Sequence, residues 1–148
     1  MFAALLRTDD NLSLTFLRIG LGVVMFPHGA QKVLGWFGGG GYQQTIETFG
    51  GMGFPTWSVA ALMVSEFLGS MLLVVGFFTR VWALSAGVAM SICMYRFHLQ
   101  NGFFMNWFGK QGGEGFEYHI LAIAICLALV VGGGGRMSID EAIEPSVL

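Results

Sequence analysis

Charge is what this sequence has least of. Asp, Glu, Lys and Arg make up 11% of its 148 residues, against about 25% in a soluble globular domain. Apolar residues make up 55% and the mean hydropathy is +0.69. So small a polar complement cannot cover a water-facing surface, and the apolar residues come in blocks long enough to cross a bilayer, so the expected solvent is lipid. The formal charge of −2 comes with no basic stripe or acidic tail, which leaves no electrostatic footprint for nucleic acid. Cysteine is nearly absent. Cys93 and Cys126 stand in different apolar runs, without a CxxC, and read as packing residues. No HExxH or HxxxH pairs the histidines, so no metal site is expected. GxSxG, a P-loop lysine motif and a strand-linked GxGxxG are also missing, which leaves hydrolase and nucleotide chemistry unsupported; Gly38 to Gly41 is a bare glycine run that reads as a turn.

What is present is a set of four apolar blocks. The first covers 12–34, with Asp10 or Asn11 available as its N-cap. The stretch before it lacks a small-residue cleavage site, so this block is expected to be a retained helix rather than a signal peptide. The second, 57–78, is nearly unbroken except at Ser65, Glu66 and Ser70. Thr79 and Arg80 lead at once into the third, 81–97, so these two blocks form an antiparallel hairpin. The fourth, 116–131, stops at Gly132 to Gly135, followed by Arg136. The pattern predicts one all-α integral membrane domain over 1–148, a four-transmembrane-helix bundle with both termini on one side.

The two longer connections share the other side and are rich in aromatics: Trp36, Phe37, Tyr42, Phe54, Phe103, Phe104, Trp107 and Phe108. Such rings either anchor the chain at the headgroup level or, for Phe103, Phe104 and Trp107, form a lid over an opening between helices. Gln43 to Phe49 is a candidate short surface helix. Small residues recur at packing spacing at Ala83, Gly87 and Ser91, at Ser65 and Gly69, and at Ala124 and Ala128, the stripes that helices need for close approach in lipid. Arg7, Arg80 and Arg136 fall on the terminus side, while Lys32, Arg96 and Lys110 fall on or near the other. That count is tied, and it favours cytoplasmic termini if Lys32 and Arg96 are drawn into the bundle.

The intramembrane charges need an explanation. Glu66 lies nine residues into the second block, roughly 14 Å deep at 1.5 Å per residue, where an ionised carboxylate costs several kcal/mol unless paired. Arg18, about 9 Å in from the opposite side, is the expected partner, a buried Arg18–Glu66 ion pair. Two roles stay open for it: fixing the register of two helices, or holding Glu66 as a proton relay or ligand-polarising group. A second polar layer gathers toward the loop side: His28, Gln31 and Lys32 end the first block, Arg96 and His98 the third, and Glu117, Tyr118 and His119 open the fourth. Pro27 leaves the Val23 carbonyl without its usual partner and can shape a pocket floor. Glu117 suits the positive end of a helix dipole as well as a site, with Arg96 and Lys32 as its basic candidates. The candidate ligand or proton site is therefore His28, Gln31, Lys32, Glu66, Arg96, Glu117 and His119.

Three segments carry a family resemblance: LRIGLGVVMFPHGAQKVLGWFGGGG from Leu17, GFPTWSVAALMVSEFLGSMLLVVGFFTR from Gly53 and GGEGFEYHILAIAICLALVVGGGGRMSID from Gly112. Together they resemble the DoxX family of bacterial membrane proteins, with its HGxQK-like element on His28, Gly29, Gln31 and Lys32. Its E-x-x-G element falls on Glu66 and Gly69, and its GFE element on Gly115, Phe116 and Glu117. The resemblance implies a four-helix fold in the bacterial inner membrane with cytoplasmic termini. It also implies a link to quinone-coupled oxidation of thiosulfate or thiols, as a small subunit beside a soluble oxidoreductase. The chain itself shows no paired cysteines and no evident cofactor ligands, so electron transfer would use a bound quinone or a partner's cofactor. The alternative is a non-catalytic scaffold or accessory subunit of a larger membrane complex; a solute carrier is disfavoured, because no inverted repeat or broken helix pair is present.

Overall fold

The computed structural model describes residues 2–147, with side chains for residues 4–144. Those residues are helical and loop, with no strand among them. Among the described residues seven α-helices occur in chain order: α1 (Phe2–Leu6), α2 (Leu12–Val33), α3 (Gly41–Gly51), α4 (Thr56–Val75), α5 (Thr79–Cys93), α6 (Glu117–Gly132) and α7 (Ile139–Val147). A π-helical turn, Met94–His98, continues α5.

Helices α2, α4, α5 and α6 pack as a closed ring in the order α2–α4–α5–α6. Their inner faces supply the core, which includes Leu14, Leu21, Met25, Leu73, Ala86, Met90, Cys126 and Leu129. The outer faces are apolar too: Phe16, Val23, Val64, Leu68, Leu84, Val88, Leu121, Leu127 and Val131 are all exposed. A ring that is apolar on both sides suits a lipid surround, since a water-facing helix carries polar residues on its outer face. By length and composition, α2 and α4 meet the requirement for crossing a membrane, while α6 is apolar but shorter.

The helix boundaries have local causes. Asn11 caps α2, its Oδ1 accepting from Ser13 N at 2.8 Å, as the sequence suggests. The turn between α4 and α5 is Gly76 to Phe78, with Gly76 in the left-handed region at φ 72°. Thr79 and Arg80, expected as the connection, are instead the first residues of α5. The reason is Asp140, which is buried and accepts from Phe78 N at 2.7 Å and Thr79 N at 2.8 Å. A carboxylate on those two orphan N–H groups starts the helix earlier than hydropathy alone implies. The expected surface helix at Gln43 to Phe49 is longer, Gly41–Gly51.

The small-residue stripes prove unequal. Gly69 meets the Trp82 ring and Gly87 meets Cys126, but Ala124 faces outward and Ala122, Cys126 and Leu129 form the packing face of α6. The closest helix approach uses glycines outside those stripes. A Cβ on Gly22 would come within 2.6 Å of the Ser70 carbonyl oxygen, and one on Gly29 would collide with the Glu66–Phe67 peptide.

One end of the ring gathers α1, the α4–α5 turn and the chain after α6. Here Arg18, 1% exposed, donates to the carbonyls of Gly134 at 2.8 Å, Leu73 at 3.3 Å, Met137 at 2.8 Å and Arg136 at 3.4 Å, and to that of Val74. Thr15 Oγ1 also donates to Arg136 O, at 2.6 Å. Replacing Asp140 with Ala should lower unfolding free energy by about 1–2 kcal/mol. Thermal unfolding of the detergent-solubilised protein checks this, and an unchanged midpoint would remove Asp140 from the account of the α5 start.

Candidate functional site

The site begins with a close contact between backbones. Because Gly29 packs directly on the Glu66–Phe67 peptide, Lys32, one helical turn further along α2, lies level with Glu66. Its Nζ is 2.6 Å from Glu66 Oε2, with side-chain exposures of 20% and 5%. The contact is an ion pair, and Lys32 Nζ donates a hydrogen bond to the His28 carbonyl at 3.3 Å. The expected Arg18–Glu66 pair therefore does not form. In the antiparallel α2–α4 seam Arg18 is level with the last turn of α4, whose Leu73 and Val74 carbonyls accept from its guanidinium. Leu73 and Glu66 are seven residues apart, about 10 Å of helix, beyond the remaining reach.

The ion pair forms one wall of a cavity of about 400 Å³ between α4 and α5. Phe49, Phe54, Trp57 and Phe97 surround it near the loop side, and Leu62, Val88, Ala89 and Ile92 line it toward the bundle. Its polar groups are Lys32, Glu66, Ser58, Cys93 and the linked hydroxyls of Ser85 and Ser65, 2.8 Å apart. An apolar pocket with a few convergent polar groups is the usual form of a small-molecule site.

The other predicted residues divide. His28 is exposed on α2, and Gln31 donates from Nε2 to the Phe37 carbonyl at 3.2 Å, fixing the turn after α2. Arg96 is exposed, its guanidinium carbon 5.0 Å from the centre of the Phe54 ring. Glu117 meets neither Arg96 nor Lys32: its Oε1 accepts from Met105 N at 2.8 Å and so holds the 99–116 loop. Among the described residues, the ion pairs are Lys32–Glu66 and the exposed Arg136–Asp10. Phe103, Phe104 and Trp107 are exposed and do not line the cavity. Phe103 instead makes edge contacts with Phe104 and Phe116, and the rings at the opening are Phe49, Phe54, Trp57 and Phe97, so of the two readings the lid is the one not formed. His119 is buried, with its ring centre 4.2 Å from that of His98, and both lie beside Cys93. Sequence reading makes Cys93 a packing residue, whereas the structure gives it to the cavity wall.

The family model for DoxX matches residues 13–99, from the start of α2 through the π turn and so including both members of the ion pair. The chain belongs to the DoxX family. It is therefore a membrane protein, consistent with its two spanning-length helices and apolar outer face. The match ends before Glu117 and His119. An uncharacterised protein of Haemophilus influenzae is 28% identical over 143 residues, covering 91% of this chain and 85% of the relative. A Bacillus subtilis protein named "Putative oxidoreductase CatD" is 27% identical over 113 residues, covering 76% of this chain and 75% of the relative. No solved structure matches.

Truncating one member of a buried pair strands the other. Glu66→Ala should destabilise the protein by about 2–3 kcal/mol, while the double variant Lys32→Met, Glu66→Leu should return to within about 1 kcal/mol of the native value. Unfolding titrations of the single and double variants check this, and additive losses would show that the two side chains do not act as a pair.

Proposed function

We propose that this DoxX protein crosses the bacterial inner membrane four times and binds the head group of a lipid-soluble quinone in the α4–α5 cavity. There it serves as the membrane-side redox subunit for a soluble oxidoreductase. The observation that carries the proposal is a pocket that is apolar along most of its wall yet holds a Lys–Glu pair at one side. A quinone needs both features: hydrogen bonds at its carbonyls and an apolar slot for its tail. Lys32 has three N–H donors, of which one goes to the His28 carbonyl while its charge pairs with Glu66, which leaves donor capacity for a ligand carbonyl. Glu66 supplies a carboxylate able to exchange a proton at the same place. The electrons would come from the partner's cofactor.

The four-span count rests on the closed ring and its apolar exterior. With α5 and its π turn taken together, every ring helix extends from the end bearing Arg18 toward the loop end. Orientation follows from the basic residues. Lys32 is drawn to Glu66 whereas Arg96 stays on the surface, so Arg7, Arg80 and Arg136 at the terminus end outweigh Arg96 and Lys110, which favours cytoplasmic termini. The relative named as an oxidoreductase supports the redox assignment.

Trp57 lines the cavity, and its fluorescence should be quenched saturably by a short-tailed quinone added to the purified protein. Ala89→Phe, which puts a ring into the cavity and leaves Lys32 and Glu66 themselves unaltered, should weaken binding at least about tenfold, equivalent to about 1.4 kcal/mol, at an unchanged melting temperature. Glu66→Gln should weaken it by a similar factor. Absence of saturable binding in the native protein would reject the quinone site. If the cavity-filled variant still supported full activity of a copurified oxidoreductase, the protein would be a scaffold.

A further inference from the structure

We propose that Cys93, His98 and His119 form a three-ligand site for a thiophilic divalent metal, Zn²⁺, at the edge of the α4–α5 cavity. This assignment stands on observations separate from the quinone proposal. Each of the three residues offers a ligand atom, and these atoms lie within 4.8 Å of one another. Around a tetrahedral zinc with Zn–S near 2.3 Å and Zn–N near 2.0 Å, ligand atoms stand about 3.5 Å apart. Side-chain rotations of order 1 Å would close the set.

The local backbone explains why the residues meet. Cys93 and His98 are five apart, and on a regular α-helix that separation turns them about 140° away from each other. The π-helical turn Met94–His98 follows directly on Cys93, and its wider i→i+5 winding returns both residues to one side of the helix. His119 arrives from the first turn of α6, held against the end of α5 by the contact between the two helices.

The imidazoles are set up as ligands. His98 Nδ1 lies 2.9 Å from the Glu114 carbonyl oxygen. A carbonyl only accepts, so Nδ1 carries the proton and Nε2 keeps its lone pair. A backbone carbonyl behind a histidine is the usual outer support of a metal ligand. His119 is 5% exposed, and its buried Nδ1 has no hydrogen-bond partner among the described residues. An orphaned ring nitrogen of that kind costs about 1–3 kcal/mol unless something occupies it. With the two ring centres 4.2 Å apart, a shared cation satisfies both rings where two protons would repel.

Two histidines and one cysteine leave a coordination position for an exchangeable ligand, as in zinc sites that act on substrates rather than merely brace a fold. Because Cys93 also lines the cavity, that position borders the space flanked by Lys32 and Glu66.

The test uses the purified full-length protein in detergent, stripped of metal and titrated with Co²⁺. One cobalt per chain is expected, with the intense visible bands of a tetrahedral ion, a near-ultraviolet thiolate-to-cobalt band, and displacement of both by Zn²⁺. Cys93→Ser should abolish the thiolate band. His119→Gln should weaken Co²⁺ at least about 100-fold, and His98→Ala, at a less buried position, should do the same if the first variant folds poorly. Cys126→Ser, in the core away from the cluster, should leave the spectrum unchanged. Failure of Co²⁺ to bind, or a thiolate band that survives Cys93→Ser, would overturn the site. Copper that Zn²⁺ cannot displace in the protein as isolated would overturn the choice of metal.

Discussion

A buried guanidinium fixes the register of the whole bundle. Arg18 has 1% of its surface exposed and distributes its donors over five carbonyls at the end of α4 and in the chain after α6. Asp140 and Glu141 add attractive charge. Those carbonyls include Leu73 and Val74 in the last turn of α4, the negative end of its dipole. The arrangement answers two needs together, since a cation in an apolar setting requires acceptors and a helix end requires donors.

From that anchor the α2–α4 seam runs as one face. Arg18, Gly22, Met25, Gly29 and Lys32 recur at intervals of three and four, so they form a single stripe about 21 Å long. Along it α4 presents Leu73 and Val74, then Ser70, then Glu66 in antiparallel order. The two glycines let the backbones approach, and the approach brings Lys32 to Glu66. A seam this tight on one side of α4 contrasts with the α4–α5 side, where the walls separate near the loop end and leave the cavity. Polar chemistry is thus confined to the place where a rigid seam meets an open one.

Much of this could be read from residues alone. Four apolar blocks, an N-cap at Asp10 or Asn11 and the glycine stop after the last block rest on local pattern, and each has its counterpart in a helix or a helix end; Glu66 and Lys32 stand out as charges in apolar sequence. Three features did not show. The partner of Glu66 is hidden from the sequence because depth arithmetic gives distance along a helix axis but says nothing of which helix end competes for the arginine. Nothing local marks Asp140, although its carboxylate supports the start of α5 from 61 residues away. Cys93 and His98 lie five apart, a spacing that reads as opposite faces unless the π turn is anticipated.

By itself, the sequence determined that the chain is helical and apolar on every face, because hydropathy and helix-stop chemistry are local and additive along the chain. It also determined that a few charges must be compensated inside. Which charge compensates which was decided only by tertiary structure. The choice depends on helix register, set by the close contacts of Gly22 and Gly29, and on backbone carbonyls, which every residue carries and no sequence pattern marks. For the same reason the meeting of Cys93, His98 and His119 is a property of the folded chain, created where one irregular turn of α5 rests against the first turn of α6.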